Sequence, residues 1–259
     1  MNIVLKIVDN KYFRVSLAII IYFLMMELIG NYIAIFLRNS FNLSEFQFFL
    51  VNYTNPLSIL RLPYNQLLNF LNTLLQLTIY IVLFILLCLV LYKDLKRDEI
   101  DYKQRNNDLK KEFLPSLLIY FGTTIIVNFI VIILTKTFNI SNESLNQSNI
   151  ESLVSSSPMN KILMACSVCF LGPIVEELIF RKSMFTIFYN KWVSLVLSSI
   201  IFGLMHTLSF NYEPLRLLVV SLPYIASGFV FGIIYIKTDN IIMPILIHAL
   251  LNAVSLIMM

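Results

Sequence analysis

Six polar or ionisable side chains interrupt the apolar sequence in the last third of the chain. They are two adjacent glutamates, an arginine, the chain's two histidines and an asparagine, at Glu176, Glu177, Arg181, His206, His248 and Asn252. An ionisable group costs roughly 3 kcal/mol at the centre of a membrane helix, so several of them together indicate a functional site. A carboxylate with an adjacent imidazole can hold and deprotonate a water molecule, and imidazole and amide donors can stabilise the oxyanion that forms at an attacked carbonyl. These residue types therefore predict a hydrolytic site.

Helical spacing assigns these residues different roles. Glu177 and Arg181 are four residues apart, so they share one helix face and can form an ion pair. Glu176 lies about 100° around the same helix and is left as the free carboxylate. His248 and Asn252 are also four residues apart and can point at one spot. The other histidine comes from a separate apolar segment.

The same donors allow a metal-dependent arrangement. Glu176, His206 and His248 could ligate a zinc ion whose bound water is the nucleophile, and the spacing does not separate this arrangement from the metal-free one. Cys166 and Cys169 are also spaced like a metal or redox pair. Because they lie in an apolar helix, we interpret them as packing surface.

The elements that position these residues are predicted to be membrane-spanning helices. The 259 residues are 58% hydrophobic and 13% charged, with a mean hydropathy of +0.80. This composition argues against a soluble enzyme, a DNA-binding domain and a disulfide-stapled secreted module. A helix needs roughly 20 apolar residues to cross a bilayer. Seven runs qualify, at 15–36, 67–92, 113–135, 162–188, 193–208, 215–236 and 241–258. The predicted fold is an all-α, polytopic transmembrane bundle of about seven to eight spans.

Composition divides the chain into three predicted regions. Residues 1–136 form an N-terminal three-span region, residues 137–160 an outer Ser/Asn-rich linker, and residues 161–259 a catalytic four-span module. Residues 93–112 interleave seven basic with six acidic side chains, so we expect a solvated segment and not a binding patch. Glu27 in the first run is predicted to make a structural hydrogen bond between helices.

Basic residues predict the orientation in the membrane. With the N-terminus inside, the inner segments hold 14 Lys and Arg residues and the outer segments hold 5. Because basic loops stay in the cytoplasm, we expect a multi-pass protein of the cell membrane with a cytoplasmic N-terminus. The small net charge of +4 does not indicate a nucleic-acid partner.

Three motifs, in order on three of the apolar segments, resemble those of the CPBP family of intramembrane proteases. They are Glu-Glu-x-x-x-Arg at 176–181, Phe-x-x-x-His at 202–206 and His-x-x-x-Asn at 248–252. The likeness covers residues 171–253, about the last third of the chain. The family includes CAAX prenyl endopeptidases and bacterial bacteriocin-processing or self-immunity proteins.

The resemblance implies a role for each matched residue. Glu176 with His206 would activate the water, Glu177 and Arg181 would support the site, and His248 with Asn252 would form the oxyanion hole. The family is often labelled metalloprotease, but a metal-free glutamate mechanism has also been proposed for it, so zinc stays an open expectation.

The leading functional hypothesis is an intramembrane endopeptidase. The resemblance implies a membrane-associated peptide or protein substrate, and the Asn/Ile/Leu-rich composition, typical of an AT-rich bacterial genome, favours a leader, pheromone or bacteriocin peptide over a prenylated one. The alternative is a non-catalytic membrane partner of a sensor kinase, or a bacteriocin self-immunity protein; a peptide-processing protein is a further possible partner. A proton or ion carrier that uses Glu27, Glu176 and the histidines is a third hypothesis.

Overall fold

The computed structural model describes residues 10–29, 64–188, 190–207 and 212–259, with side chains described from 10 to 26 and from 69 onwards within those ranges. The described residues form eight helices and no strand, which confirms the all-α prediction. The helices are α1 (Lys11–Phe23, continued as a π-helical segment Leu24–Ile29), α2 (Tyr64–Val90), α3 (Tyr92–Phe138), α4 (Leu145–Ser156), α5 (Pro158–Ile187), α6 (Lys191–Thr207), α7 (Pro214–Thr238) and α8 (Ile242–Met258).

Six of the seven predicted spans correspond to α2, α3 and α5 to α8. Four of these helices contain stretches long and apolar enough to cross a bilayer: Asn69–Val90, Tyr92–Phe138, Pro158–Ile187 and Pro214–Thr238. The other two, α6 and α8, have 17 residues each, which corresponds to a length of about 26 Å. The first predicted span begins in α1 and continues outside the described residues, and the side chain of Glu27 lies outside them too. The protein is therefore a multi-pass helical membrane protein.

The charged segment 93–112 is the first part of α3 and not a separate loop. The backbone of α3 leaves helical geometry at Arg105, with φ −102° and ψ 15°. The Arg105 guanidinium donates a hydrogen bond to the Thr238 carbonyl at 3.0 Å. Asn240 donates to the Asp98 carbonyl at 2.9 Å. These contacts attach α3 to the α7–α8 connection and so help to position α8.

The Ser/Asn-rich stretch 137–160 contains a helix, α4, which its composition did not predict. Ser144 caps the helix by accepting a hydrogen bond from the Gln147 N–H at 3.1 Å. Val154 is buried in an apolar cluster with Met164 and Leu256. Tertiary packing thus stabilises a helix that polar residues alone would leave marginal.

Helix α5 lies at the centre of the bundle and is not regular. Two π-helical segments, Cys166–Leu171 and Leu178–Ser183, flank a short α-helical stretch that contains both glutamates. Proline has no backbone N–H, and the carbonyl five residues before Pro173 in the first π segment is that of Val168. That carbonyl is consequently available to a side chain.

Helices α6 and α7 pack closely at their glycines. A Cβ atom on Gly203 would lie 2.3 Å from the Ile225 side chain, and one on Gly228 would lie 3.1 Å from the Ser199 backbone. Small residues at these positions allow the two helix backbones to approach closely. The close approach brings α6 and α7 together beside the polar residues of α5.

Candidate active site

Glu176 lies where α5, α6 and α8 meet. Its side chain is 9% exposed, and Oε2 lies 3.7 Å from Nε2 of His206 and 3.8 Å from Nε2 of His248. These separations are longer than a direct hydrogen bond. The structure therefore brings the predicted free carboxylate and both histidines around one point.

Both imidazole rings are oriented through their Nδ1 atoms. His206 Nδ1 donates to the Phe202 carbonyl at 2.8 Å, because a carbonyl can only accept. His248 Nδ1 lies 2.9 Å from Oε1 of Glu177. The His248 ring also stacks on Phe231, with ring centroids 4.5 Å apart. With Nδ1 engaged in each ring, Nε2 is the atom that faces Glu176.

Glu177 and Arg181 form a fully buried ion pair. Arg181 Nε lies 3.1 Å from Oε2 of Glu177, and both side chains are 0% exposed. The guanidinium also donates to the Gly228 carbonyl at 2.8 Å and lies 4.9 Å from the centroid of the Phe202 ring. Glu177 thus divides its two oxygens between Arg181 and His248, which links the charge pair to the histidine.

Asn252 is held by the irregular backbone of α5. Its Nδ2 donates to the Val168 carbonyl at 2.8 Å, the carbonyl that Pro173 leaves without a helical N–H. One amide hydrogen is used in this bond. The second hydrogen of the same nitrogen is available to another acceptor.

The residues open onto a cavity of about 230 Å³. Glu176, His206, His248 and Asn252 line it, whereas Glu177 and Arg181 are buried behind it. Other helices supply further polar lining: Gln76 and Tyr80 from α2, Tyr120 from α3, Asn146 and Gln147 from α4, and Tyr224 from α7.

Sequence analysis missed Tyr80 and Tyr224. The Tyr80 hydroxyl donates to Oε1 of Glu176 at 3.4 Å, and the Tyr224 ring stacks on His206 with centroids 5.1 Å apart. Gln76 and Tyr80 are one helical turn apart in the largely apolar run 67–92. Polar side chains in a predicted membrane helix indicate a functional site, so the criterion that identified Glu176 and the histidines also applies to this pair.

Glu176, His206 and His248 are residue types that can ligate a metal ion. Two imidazoles and a carboxylate suit zinc chemically, but no group of three or more His, Cys, Asp or Glu side chains in the described ranges is arranged to hold a metal ion. Cys166 is exposed and Cys169 buried, and both are free thiols. The reaction proposed for this site therefore uses only groups of the chain, and ligation of zinc by Glu176, His206 and His248 stays the alternative that the sequence left open.

A family model matches the part of the chain that holds these residues. The family model of the Rce1-like type II CAAX prenyl endopeptidases matches residues 158–254, which comprise α5 to α7 and most of α8. No solved structure is significantly similar to the chain.

Relatives from three bacteria match the chain at similar levels. YdiL of Bacillus subtilis is 34% identical over 47% of the chain and 46% of its own length. UPF0177 protein YxdF of Lactococcus lactis is 30% identical over 57% of the chain and 77% of its own length. The membrane-embedded CAAX protease MroQ of Staphylococcus aureus is 28% identical over 55% of the chain and 57% of its own length. The chain thus spans about half the length of YdiL and MroQ and most of YxdF.

Proposed function

Because this chain belongs to the CPBP family of intramembrane proteases, we propose that it hydrolyses a peptide bond in a membrane-associated peptide or protein, with water activated by Glu176 and His206. One observation carries the proposal. Glu176 Oε2 lies within 3.8 Å of Nε2 of both histidines, at a cavity enclosed by apolar helices. A general base, an orienting ring and a potential oxyanion donor are thus close enough to act on one carbonyl.

In the proposed reaction, a water molecule lies between the Glu176 carboxylate and the imidazole rings. Nε2 of His206 accepts a hydrogen bond from this water and orients it. Glu176 removes the other proton while the water oxygen bonds to the scissile carbonyl carbon, and the carbonyl oxygen becomes an oxyanion. The C–N bond then breaks, the carbonyl re-forms, and Glu176 returns the proton to the leaving amine.

His248 and Asn252 are the proposed oxyanion donors. Asn252 has one amide hydrogen left after its bond to Val168. For His248 to donate through Nε2 while Nδ1 donates to the Glu177 carboxylate, both ring nitrogens must carry protons. Arg181 keeps Glu177 in place from the other side. This gives the buried pair a positioning role and not a place among the reacting groups.

The proposed substrate is a bacterial leader, pheromone or bacteriocin peptide, whose export or processing machinery would be a partner. The carboxamides of Gln76, Asn146 and Gln147 in the cavity wall can form hydrogen bonds with polar peptide groups, and apolar side chains such as Ile150, Leu251 and Leu256 line the same cavity. The name of MroQ points to the other class, a CAAX sequence. A panel of quenched fluorescent peptides of both classes would separate them.

The decisive variant is Glu176→Gln in purified protein reconstituted in liposomes. We expect cleavage of the peptide panel to fall at least roughly 100-fold, the usual contribution of a general base. Glu213→Gln, at an exposed glutamate, is the matched control and should cleave like the wild type. Equal cleavage by both variants would refute the proposal, and a cellular phenotype that survives Glu176→Gln would favour the non-catalytic partner instead.

A further inference from the structure

The first turns of α3 separate charges that the sequence interleaves. Asp94 and Asp98 are 5% and 3% exposed, so both acidic side chains face the protein interior. Asp94 accepts a hydrogen bond from Arg14 of α1 at 2.9 Å. Asp98 pairs with Lys182 of α5, which is also buried. The buried acids therefore pair mainly with cations of neighbouring helices, although Oδ1 of Asp98 also lies 3.8 Å from Nε of Arg97.

The basic side chains of the same turns face outward. Lys96 and Arg97 are exposed and line a shallow surface cleft of about 530 Å³ together with Lys93 and Tyr92. The Lys96 ammonium lies 6.0 Å from the centroid of the Tyr92 ring. Asp101, at the far end of the cleft, accepts hydrogen bonds from Arg105 and Asn240. The cleft is thus basic although the segment as a whole is nearly neutral.

The cleft lies close to the end of a membrane span. The apolar stretch of α2 ends at Val90, and α3 begins two residues later. At 1.5 Å per residue, Arg97 lies within about 10 Å of that point along the chain axis. This distance corresponds to the headgroup layer, where basic side chains bind anionic lipids.

We propose that this cleft binds the phosphate of an anionic phospholipid headgroup. The proposal does not depend on the enzymatic activity. It revises the expectation that residues 93–112 are only a solvated segment, because packing buries Asp94 and Asp98 while Lys96 and Arg97 stay exposed. Lys96 and Arg97 would bind the phosphate, and the exposed Tyr92 ring would lie against the lipid.

The test measures binding of fluorescent short-chain phosphatidylglycerol to the detergent-solubilised full chain. Replacing both Lys96 and Arg97 by Gln should weaken binding roughly tenfold or more, given the contribution of each basic residue near an anionic headgroup. A matched control replaces Lys110 and Lys111, two exposed lysines of α3 outside the cleft, and should leave binding within about twofold. Phosphatidylcholine should bind weakly to all three proteins.

Two results would overturn the lipid assignment. One is equal weakening in both double variants, which would indicate a general charge effect. The other is displacement of phosphatidylglycerol by inorganic phosphate at low millimolar concentration, which would indicate a site for the free anion.

A second inference concerns Tyr80 and rests on the proposed function. Tyr80 is 8% exposed in the apolar core cluster, and its hydroxyl donates to Oε1 of Glu176 at 3.4 Å. The other oxygen, Oε2, faces both histidines. The hydrogen bond therefore sets the rotation of the carboxyl group and keeps Oε2 toward the water position.

We infer that Tyr80 is a positioning residue for Glu176. It lies on α2, outside residues 158–254 that match the family model. The N-terminal region would then supply part of the catalytic geometry. Because Tyr80 does not contact the proposed water position through its hydroxyl, its effect should fall on turnover and not on substrate affinity.

Kinetic constants of Tyr80→Phe test this inference, since the variant keeps the ring and removes only the hydroxyl. We expect kcat to fall roughly tenfold, the effect of one lost hydrogen bond to a charged group, with KM unchanged within about twofold. Tyr235→Phe is the matched control, because Tyr235 is partly buried and does not line the cavity. Unchanged kcat in Tyr80→Phe with an active wild type would refute the positioning role and leave the proposed function intact.

A thermal unfolding cycle tests the same contact without any substrate. Tyr80→Phe is measured alone, Glu176→Gln alone, and the two together. If the hydroxyl acts on Glu176, the shifts in Tm are not additive. Additive shifts would show that Tyr80 only packs in the core, and would overturn the inference even if Tyr80→Phe lowers stability.

Discussion

Helices α5 to α8 and helices α2 to α4 contribute to one cavity in different ways. The most apolar stretch of α5 is 56% buried within the protein, whereas that of α3 is only 6% buried. The buried helix carries the charged residues, and α2 to α4 contribute neutral polar groups such as Gln76, Tyr80 and Asn146. A helix surrounded by other helices can hold charges that a lipid-facing helix would expose to hydrocarbon. The charged residues of the cavity and most of its neutral polar wall therefore come from separate regions of the chain.

The largest difference between the regions should appear when an ion pair is broken. Arg181→Met leaves the Glu177 carboxylate buried without its cation, which costs about 3–5 kcal/mol. Thermal unfolding in detergent should show a large fall in Tm, and a peptide-cleavage assay should show loss of activity. Lys111→Met, in an α3 pair whose side chains are both 76% exposed, should change Tm little. Similar shifts in the two variants would contradict the proposed difference in burial.

Glycine substitutions should sharpen the contrast in packing. In Gly203→Ala the new Cβ meets Ile225 at 2.3 Å, so we expect destabilisation by about 1–3 kcal/mol. In Gly122→Ala on α3 nothing lies within 4 Å of the new atom, and removal of a helix-interior glycine should stabilise by about 0.5–1 kcal/mol. Opposite signs of the two Tm shifts are the expected result, and shifts of the same sign would contradict it.

A smaller effect is expected from a substitution on α2 at the cavity wall. Gln76→Leu removes a carboxamide from the cavity wall, and loss of one neutral hydrogen bond of about 1 kcal/mol should raise KM roughly fivefold with kcat unchanged. Steady-state kinetics on the best cleaved peptide provide the measurement. A fall in kcat at constant KM would instead place Gln76 with Tyr80 among the positioning residues.

Metal removal should have the smallest effect. The described side chains form no group of three ligands suited to a metal ion, and the proposed reaction uses only groups of the chain itself. Cleavage should therefore persist after chelation, and elemental analysis of active protein should find zinc well below one equivalent. Loss of cleavage that zinc alone restores would instead support ligation by Glu176, His206 and His248.

The sequence was sufficient to predict the fold class and the meeting of the motif residues. Apolar runs of bilayer length predict helices directly, and spacing of four residues placed Glu177 beside Arg181 as the structure has them. The convergence of Glu176 with both histidines agrees with the expectation that ionisable groups in membrane helices face the interior of the bundle.

The remaining features depend on long-range packing and could not be read from local patterns. Tyr80 reaches Glu176 across 96 positions of the chain, and nothing in its own segment specifies that partner. The charge separation on α3 depends on Lys182 and Arg14, which lie on other helices. Helix α4 likewise depends on tertiary contacts of Val154.

The link between Pro173, Val168 and Asn252 gives the proline a function at a distance. Pro173 has no reactive group, but it removes one backbone hydrogen bond from α5. The Val168 carbonyl oxygen that is left without this N–H accepts a hydrogen bond from the Asn252 carboxamide on α8. The orientation of that carboxamide in the cavity therefore depends on the π-helical segment of α5. Pro173 and Asn252 are therefore coupled through the Val168 carbonyl, and a substitution at either residue should change how the carboxamide is held.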